Sequence, residues 1–318
     1  MRTVNGPFFL MPEVLSVAFR SLICYTNPEV IIMKTYPLYI VDAFADAPFS
    51  GNPAGVVLLG CDGFPDEKLC IKVAAELKHS ETAFVREVGE NEFEIRYCTP
   101  VCEAALCGHA TVAAFTVLRD SGAAAPGDKL VHTTAGDITV TVEENAVWLD
   151  MAEARLVRYL DDNECEELYT AYGMEFESGL ALRPAIVSVG LADVMMPVGS
   201  EMELNAAVQD DAAVTELSRR LGVTGVHMFA LGRKGATAAC RNFAPLYGIK
   251  EECATGTSNG ALYHYLALNG VIIAGSAASF LQGEAMGRPS TVLARSKAGR
   301  VRVGGPGAIV IKGELCLG

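Results

Sequence analysis

The chain has 318 residues, 51% of them hydrophobic, and a formal net charge of -13 with a sequence pI near 4.9. That length fits about two domains, each with enough apolar material for its own core. The acidic balance, without a basic stripe or an aromatic-interleaved Lys/Arg run, excludes a nucleic-acid partner; no apolar run reaches the ~18 residues that a membrane-spanning helix needs.

Residues 1–33 contain short apolar runs broken by Pro12, Glu13 and Arg20, without the ordered charged start, apolar middle and small-residue cleavage site of a secretory signal. They are expected to be an N-terminal extension outside the fold. From Tyr36 the pattern predicts a buried strand, then a turn-rich loop at 46–53 and a second strand over 54–59. Residues 65–78, with Leu69, Val73 and Leu77 on one side, predict an amphipathic helix. Strands follow near 82–85 and 92–97. A nearly all-apolar helix runs from His109 to about Arg119, and three strands are expected at 129–133, 137–143 and 147–151. Charge rises and regularity falls at 153–158, the expected linker. Beyond it the pattern predicts a strand at 185–189, a helix near 204–221, strands at 226–231 and 236–242, a buried helix from Thr257 to about Ala267, and four more strands to the end. Residues 192–200 read as a loop.

This order is an internal repeat: Ile95–Pro100 recurs as Cys240–Pro245, about 145 positions on, with Arg on Arg and Pro on Pro. Ala83-Phe84-Val85 maps onto Met228-Phe229-Ala230 at the same offset, and Cys107 onto Cys253 one position further along. The expected fold is α+β, two pseudo-symmetric domains at 34–152 and 153–318, each a curled mixed sheet around one apolar helix, with a return of the last strand to the first domain left open. A doubly wound parallel sheet would need helices between most strands, and the pattern lacks them.

The two repeated stretches carry the chemistry. A helix N-terminus presents free N–H groups and the positive end of the helix dipole, which suits a carboxylate and lowers the pKa of a nearby thiol. Cys107 and Cys253, each followed shortly by a glycine (Gly108, Gly256), would hold a small acid between two thiols. One thiolate would remove a proton from one face while the opposite thiol delivers one to the other. The equally simple alternative is that these are small core residues, as buried cysteines usually are. His109 reads either as an acid/base group or as a ligand-binding or capping residue. Glu81, after Ser80 in an otherwise apolar strand, is either paired or functional, since an unpaired carboxylate there is costly. The ten cysteines show no CxxC pair and no zinc-knuckle spacing, so free thiols in a cytoplasmic protein, and no metal, are expected.

Ser50–Ala54, His79–Phe84, Thr99-Pro100, Leu106–Thr111, Arg241–Pro245 and Met286–Ser290 resemble the PhzF-like (phenazine-biosynthesis-type) isomerases of the diaminopimelate epimerase fold, over about residues 34–310. The resemblance implies an active site between two domains, cofactor-free proton transfer and a homodimer. It assigns the catalytic carboxylate to Glu81, the ligand-binding histidine to His109 and a substrate-loop position to Asn52. At the second helix start Glu252 replaces the family's Asp, Cys253 its Pro and Thr257 its Ser, and Cys253 reads as the second cysteine of the racemases of this fold. The expected site is therefore Glu81, Cys107 and Cys253 as catalytic groups, with Asn52, Ser80, Gly108, His109, Glu252, Thr255, Gly256 and Thr257 binding substrate. The leading expectation is a cofactor-independent racemase or epimerase moving a proton beside the carboxylate of a small acid, an amino acid in kind, by two thiols. The alternatives are a PhzF-like isomerase with Glu81 as sole shuttle and a noncatalytic binding protein for a small acid.

Overall fold

The computed structural model describes residues 34–317, so the extension expected at 1–33 lies outside the described residues. The first half comprises β1 (Lys34–Ala43), β2 (Asn52–Gly60), α1 (Glu67–Leu77), β3 (Thr82–Gly89), β4 (Glu92–Cys98), β5 (Glu103–Ala104), α2 (Gly108–Asp120), β6 (Gly127–Thr133), β7 (Gly136–Val142) and β8 (Val147–Asp150). The second comprises β9 (Arg155–Tyr159), α3 (Asp162–Thr170), β10 (Ala185–Ser188), β11 (Ala192–Val198), α4 (Glu201–Ala206), α5 (Asp211–Leu221), β12 (Gly225–Leu231), β13 (Ala238–Ala244), β14 (Ile249–Glu252), α6 (Gly256–Leu268), β15 (Ala278–Gln282), β16 (Ser290–Lys297), β17 (Arg300–Gly305) and β18 (Gly307–Leu317).

The halves repeat one another pairing by pairing. β1–β2 is antiparallel, β2–β3 parallel, β3–β4 antiparallel, β4–β6 parallel, and β6, β7 and β8 continue antiparallel. In the second half β10–β11, β11–β12, β12–β13, β13–β15 and β15–β16–β17 follow the same alternation. Each parallel step needs a crossover long enough to reverse the chain, and helices supply it: α1 and α2 in the first half, α5 and α6 in the second. β8 pairs with β17 and joins the halves. β9 pairs with β10, and β18 runs back to pair with β1, so each half receives the strand that follows the other half's last one.

The chain is thus an α+β fold of curled mixed sheet around central helices. α2 packs on β1, β2, β3, β8 and β18, and α6 on β10, β11, β12, β16 and β17. Ten residues of α2 are buried, from His109 to Leu118. A helix buried all round has no polar stripe, as the sequence shows, and Ala110, Ala113 and Ala114 let strands approach it closely. One hydrophobic core runs through both halves and includes both central helices. Smaller clusters lie under α1 and under α3 and α5. No helix of the described residues is long and apolar enough to cross a membrane.

Three expectations are corrected here. The linker at 153–158 contains strand β9, whose charged Arg155 and Arg158 are exposed while its backbone pairs with β10. The loop at 192–200 is mostly β11, buried from Val194 to Val198 between β10 and β12. The single helix at 204–221 is two: Ala207 turns to an extended conformation, and Asp210 restarts the chain by accepting the N–H groups of Ala212 and Ala213. Helix α3 was not expected; its signal is the capping box of Asp161 and Glu164.

Candidate active site

The N-termini of α2 and α6 end two loops that come together at the junction of the halves. Cys107 is the residue before α2 and Thr255 the residue before α6; both are extended, and neither makes a side-chain cap. Gly108, Gly256 and Thr257 lie in the first turns. A Cβ on Gly108 would meet nothing within 4 Å, so that turn borders open space.

Glu81 precedes β3, and its carbonyl is held by the Gly55 N–H at 3.1 Å. Its side chain meets His109 on α2: Nε2 lies 3.1 Å from Glu81 Oε2 and 3.2 Å from Ser80 Oγ. On the ring's other side Nδ1 is 3.4 Å from Cys107 Sγ. As an imidazolium, His109 donates one N–H to Ser80 and one to Cys107. Glu81 then feels its charge while Oε2, although buried, has no aligned donor. Burial pushes the Glu81 carboxyl up, but His109, with Ser80 and Cys107, outweighs it and leaves Glu81 below its ordinary value. Burial pulls His109 down, yet Cys107 and Glu81 hold it well above its ordinary value.

Facing this group is Glu252, the last residue of β14. Oε1 accepts from Asn52 Nδ2 at 3.0 Å and Oε2 from Thr255 Oγ1 at 3.1 Å. Burial raises the Glu252 pKa, and Glu81 adds to the rise against the opposing pull of His109, Asn52 and Thr255. Two electrostatically coupled carboxyls are thus pushed in opposite directions. Glu81, Cys107 and His109 bring a carboxylate, a thiol and an imidazole atom within 4.8 Å of one another.

The cysteine pair does not sit as the repeat suggested. Because α2 starts at Gly108 and α6 at Gly256, the helix-equivalent of Cys107 is Thr255, and Cys253 lies two positions earlier. Its thiol donates to Gly51 O at 3.2 Å, and only 5% of Cys253 is exposed. The expected lowering of the thiol pKa values is also reversed: burial pushes up Cys107, and burial followed by the Glu252 charge pushes up Cys253. A helix N-terminus helps a thiolate only when water or charge also reaches it, and here desolvation prevails.

Several residues around the site carried no role in the sequence reading. Arg288 donates to Gly51 O at 2.8 Å, Ser50 O at 2.7 Å and the buried Asp42 Oδ1 at 2.6 Å, clamping the loop that carries Asn52 onto the second half. Behind Glu252 and Thr255 lies a buried network of Gln282, Asn259, His227 and Asn242. The available signal was a polar residue at each of these otherwise apolar strand or helix positions.

The family model for phenazine biosynthesis-like proteins matches residues 41–313. An uncharacterised isomerase of Deinococcus radiodurans is 34% identical over 290 residues, covering 86% of this chain and 92% of its own. Another from Salmonella typhimurium is 30% identical, covering 80% of this chain and 88% of its own. A PhzF-family crystal structure from Enterococcus faecalis superposes with a TM-score of 0.76 at 28% identity, covering 89% of this chain and all of that one (100%). A hydroxyproline epimerase of Agrobacterium vitis shares the fold at a TM-score of 0.59 and 15% identity, covering 89% of this chain and 93% of its own. With the family's match extending over nearly all the described residues, the chain belongs to the phenazine biosynthesis-like (PhzF) family and is an isomerase.

Proposed function

We propose that this isomerase moves a proton between carbons of a small carboxylic acid, with Glu81 as base and Glu252 as acid. The observation that carries the reading is the opposite displacement of the pKa values of two coupled carboxyls, Glu81 beside His109 and Glu252 held by Asn52 and Thr255. Paired titratable groups pushed apart in this way divide the acid and base roles between them. Glu81, ionised and with Oε2 lacking an aligned donor, takes a proton from a carbon adjacent to a carbonyl or conjugated to one. Glu252 in its protonated form, which burial favours, donates a hydrogen bond to the oxygen on which the negative charge develops. The Glu81 carboxylic acid returns its proton to a different carbon, so the double bond shifts and the enzyme ends as it began. His109 supports the ionised Glu81 by charge and is held by Ser80 and Cys107. The open N-terminal turn of α2 suits the substrate's carboxylate. Every proton is handled by a side chain of the chain, and no step calls for a cofactor.

The test is solvent deuterium incorporation, followed by NMR over a panel of small unsaturated acids and amino acids. Wild type is expected to exchange one carbon-bound proton of its substrate, and Glu81→Gln to lose at least about a thousandfold in rate. Cys253→Ser separates this reading from the two-thiol racemase, since only the latter needs that thiol. A dead Cys253→Ser beside an active Glu81→Gln would overturn the proposal. An absence of exchange on any ligand that binds would leave the small-acid binding protein.

A further inference from the structure

We infer that Gln282, at the end of β15, is the positioning residue that aims the Glu252 acid, through a buried amide network; this rests on the acid role proposed for Glu252. Gln282 is fully buried, with 0% exposure, in a strand whose other buried residues are apolar. An amide in that place is costly unless every polar atom is bonded. Here every one is used on the turn that carries Glu252. Nε2 donates to the Glu252 carbonyl at 2.7 Å and to Thr255 Oγ1 at 3.1 Å. Oε1 accepts from the Thr255 N–H at 3.2 Å and from Asn259 Nδ2 at 2.7 Å. The amide holds both ends of the turn and the hydroxyl that itself donates to Glu252 Oε2.

Only one orientation of the amide satisfies these contacts. Turned over, Gln282 would set its NH2 against two donors and its oxygen against the Glu252 carbonyl. Asn259 enforces the choice, because its own NH2 also donates to Thr255 O at 3.0 Å. Its oxygen in turn faces His227 Nε2 at 3.2 Å, and Asn242 Oδ1 lies 3.0 Å from Nδ1. Burial lowers the His227 pKa to about 4, so the ring is neutral and has one N–H to give. The Asn259 oxygen takes that N–H, because its amide orientation is fixed by the bonds its NH2 donates to Gln282 Oε1 and Thr255 O. The chain of donors therefore runs in a fixed direction from His227 through Asn259 and Gln282 to the Glu252 turn. Gly283 brings β15 close enough for this: with φ at +80°, a Cβ there would lie 2.6 Å from Cys253 O. The first half has a simpler counterpart, in which Thr111 Oγ1 bonds Cys107 O at 2.7 Å and Tyr97 OH at 2.6 Å.

The experiment compares Gln282→Leu with wild type in kcat, KM and the pH profile of kcat. A displaced acid costs ~10- to 100-fold in kcat. KM is expected to stay within about threefold, because Gln282 does not touch the cleft. The alkaline limb of the profile, set by Glu252, is expected to move down toward the ordinary carboxylate range as the carboxyl regains water. An unchanged kcat, or a lower kcat with the limb unmoved, overturns the positioning role. If Gln282→Leu does not fold, Asn259→Ser, which removes the amide partner that orients Gln282, is read in the same way and is expected to show the same shift at smaller size. Glu252→Gln run in parallel keeps the two ideas apart: if it retains full activity the acid assignment fails, and if it is inactive while Gln282→Leu matches wild type only the positioning inference fails.

Discussion

Asn52 and Glu252 stand 200 positions apart in sequence and 3.0 Å apart in space, with the Asn52 amide also bonded to Ala254 O at 3.0 Å. The first residue of β2 therefore supports the acid at the end of β14, and the two halves share one site. Asn52→Ala removes a donor that favours the ionised form, so the Glu252 pKa rises further and the alkaline limb of the rate profile moves up. The lost bonds are expected to lower unfolding free energy by about 1–3 kcal/mol, measured by urea titration at neutral pH.

The displaced carboxyls also predict the shape of that profile. Activity is expected to fall as pH drops through the Glu81 pKa, which is lowered from its ordinary value, and as pH rises through that of Glu252, which is raised from its own. Stability follows the same signs. The contribution of Glu81, depressed on folding, is present above its unfolded pKa and lost as pH falls through the folded one. His109 and Glu252 are raised, so their contributions are present below their unfolded pKa values and lost as pH rises through the folded ones. Glu81→Gln should erase the acid limb and Glu252→Gln the alkaline limb; a profile with both limbs intact in either variant contradicts the assignment.

Arg288 is expected to matter through the loop and not through the substrate. It is the ion-pair partner of Asp42, which is 3% exposed and otherwise accepts from the Phe49 N–H at 2.7 Å. Arg288→Leu leaves that carboxylate short of one charge partner and frees Ser50 O and Gly51 O. Because the Arg288 side chain is 30% exposed, the cost is expected at about 2–3 kcal/mol, below that of breaking a fully buried pair. Thermal unfolding measures it, and Asp42→Asn with Arg288→Leu should cost less than the sum of the singles.

Much of this was legible in the sequence. Glu81 stood out because a carboxylate inside an apolar run demands a partner, and His109 supplies the opposite charge at 3.1 Å. The repeat foretold the duplicated sheet because both copies share the same strand alternation. It misplaced Cys253 because matching cysteine to cysteine ignores the extra turn Pro245–Tyr247 in the second loop. Helix starts, not letters, set the equivalence. The network behind Glu252 was only half legible: a polar Gln282 in an apolar strand demands partners, but those partners lie 23 to 30 positions away and cannot be picked out from the sequence. Strand β9 was hidden because exposed arginines on an edge strand look like a linker.

The helix equivalence of Cys107 and Thr255 yields the last prediction. Thr255 fills the place of the first helix's thiol, and its hydroxyl links Glu252 Oε2 to Gln282 Nε2. Thr255→Ser keeps that hydroxyl and is expected to retain turnover within about threefold, whereas Thr255→Val removes it and is expected to lose about tenfold or more. In Thr255→Val the Glu252 pKa should rise, since one of its two side-chain donors is gone, and the alkaline limb should move up with it. Cys253→Ser is expected to behave like Thr255→Ser, because a serine hydroxyl can still donate to Gly51 O. If Cys253→Ser instead abolishes exchange while Thr255→Val is silent, the proton passes through thiols and not through the carboxyl pair.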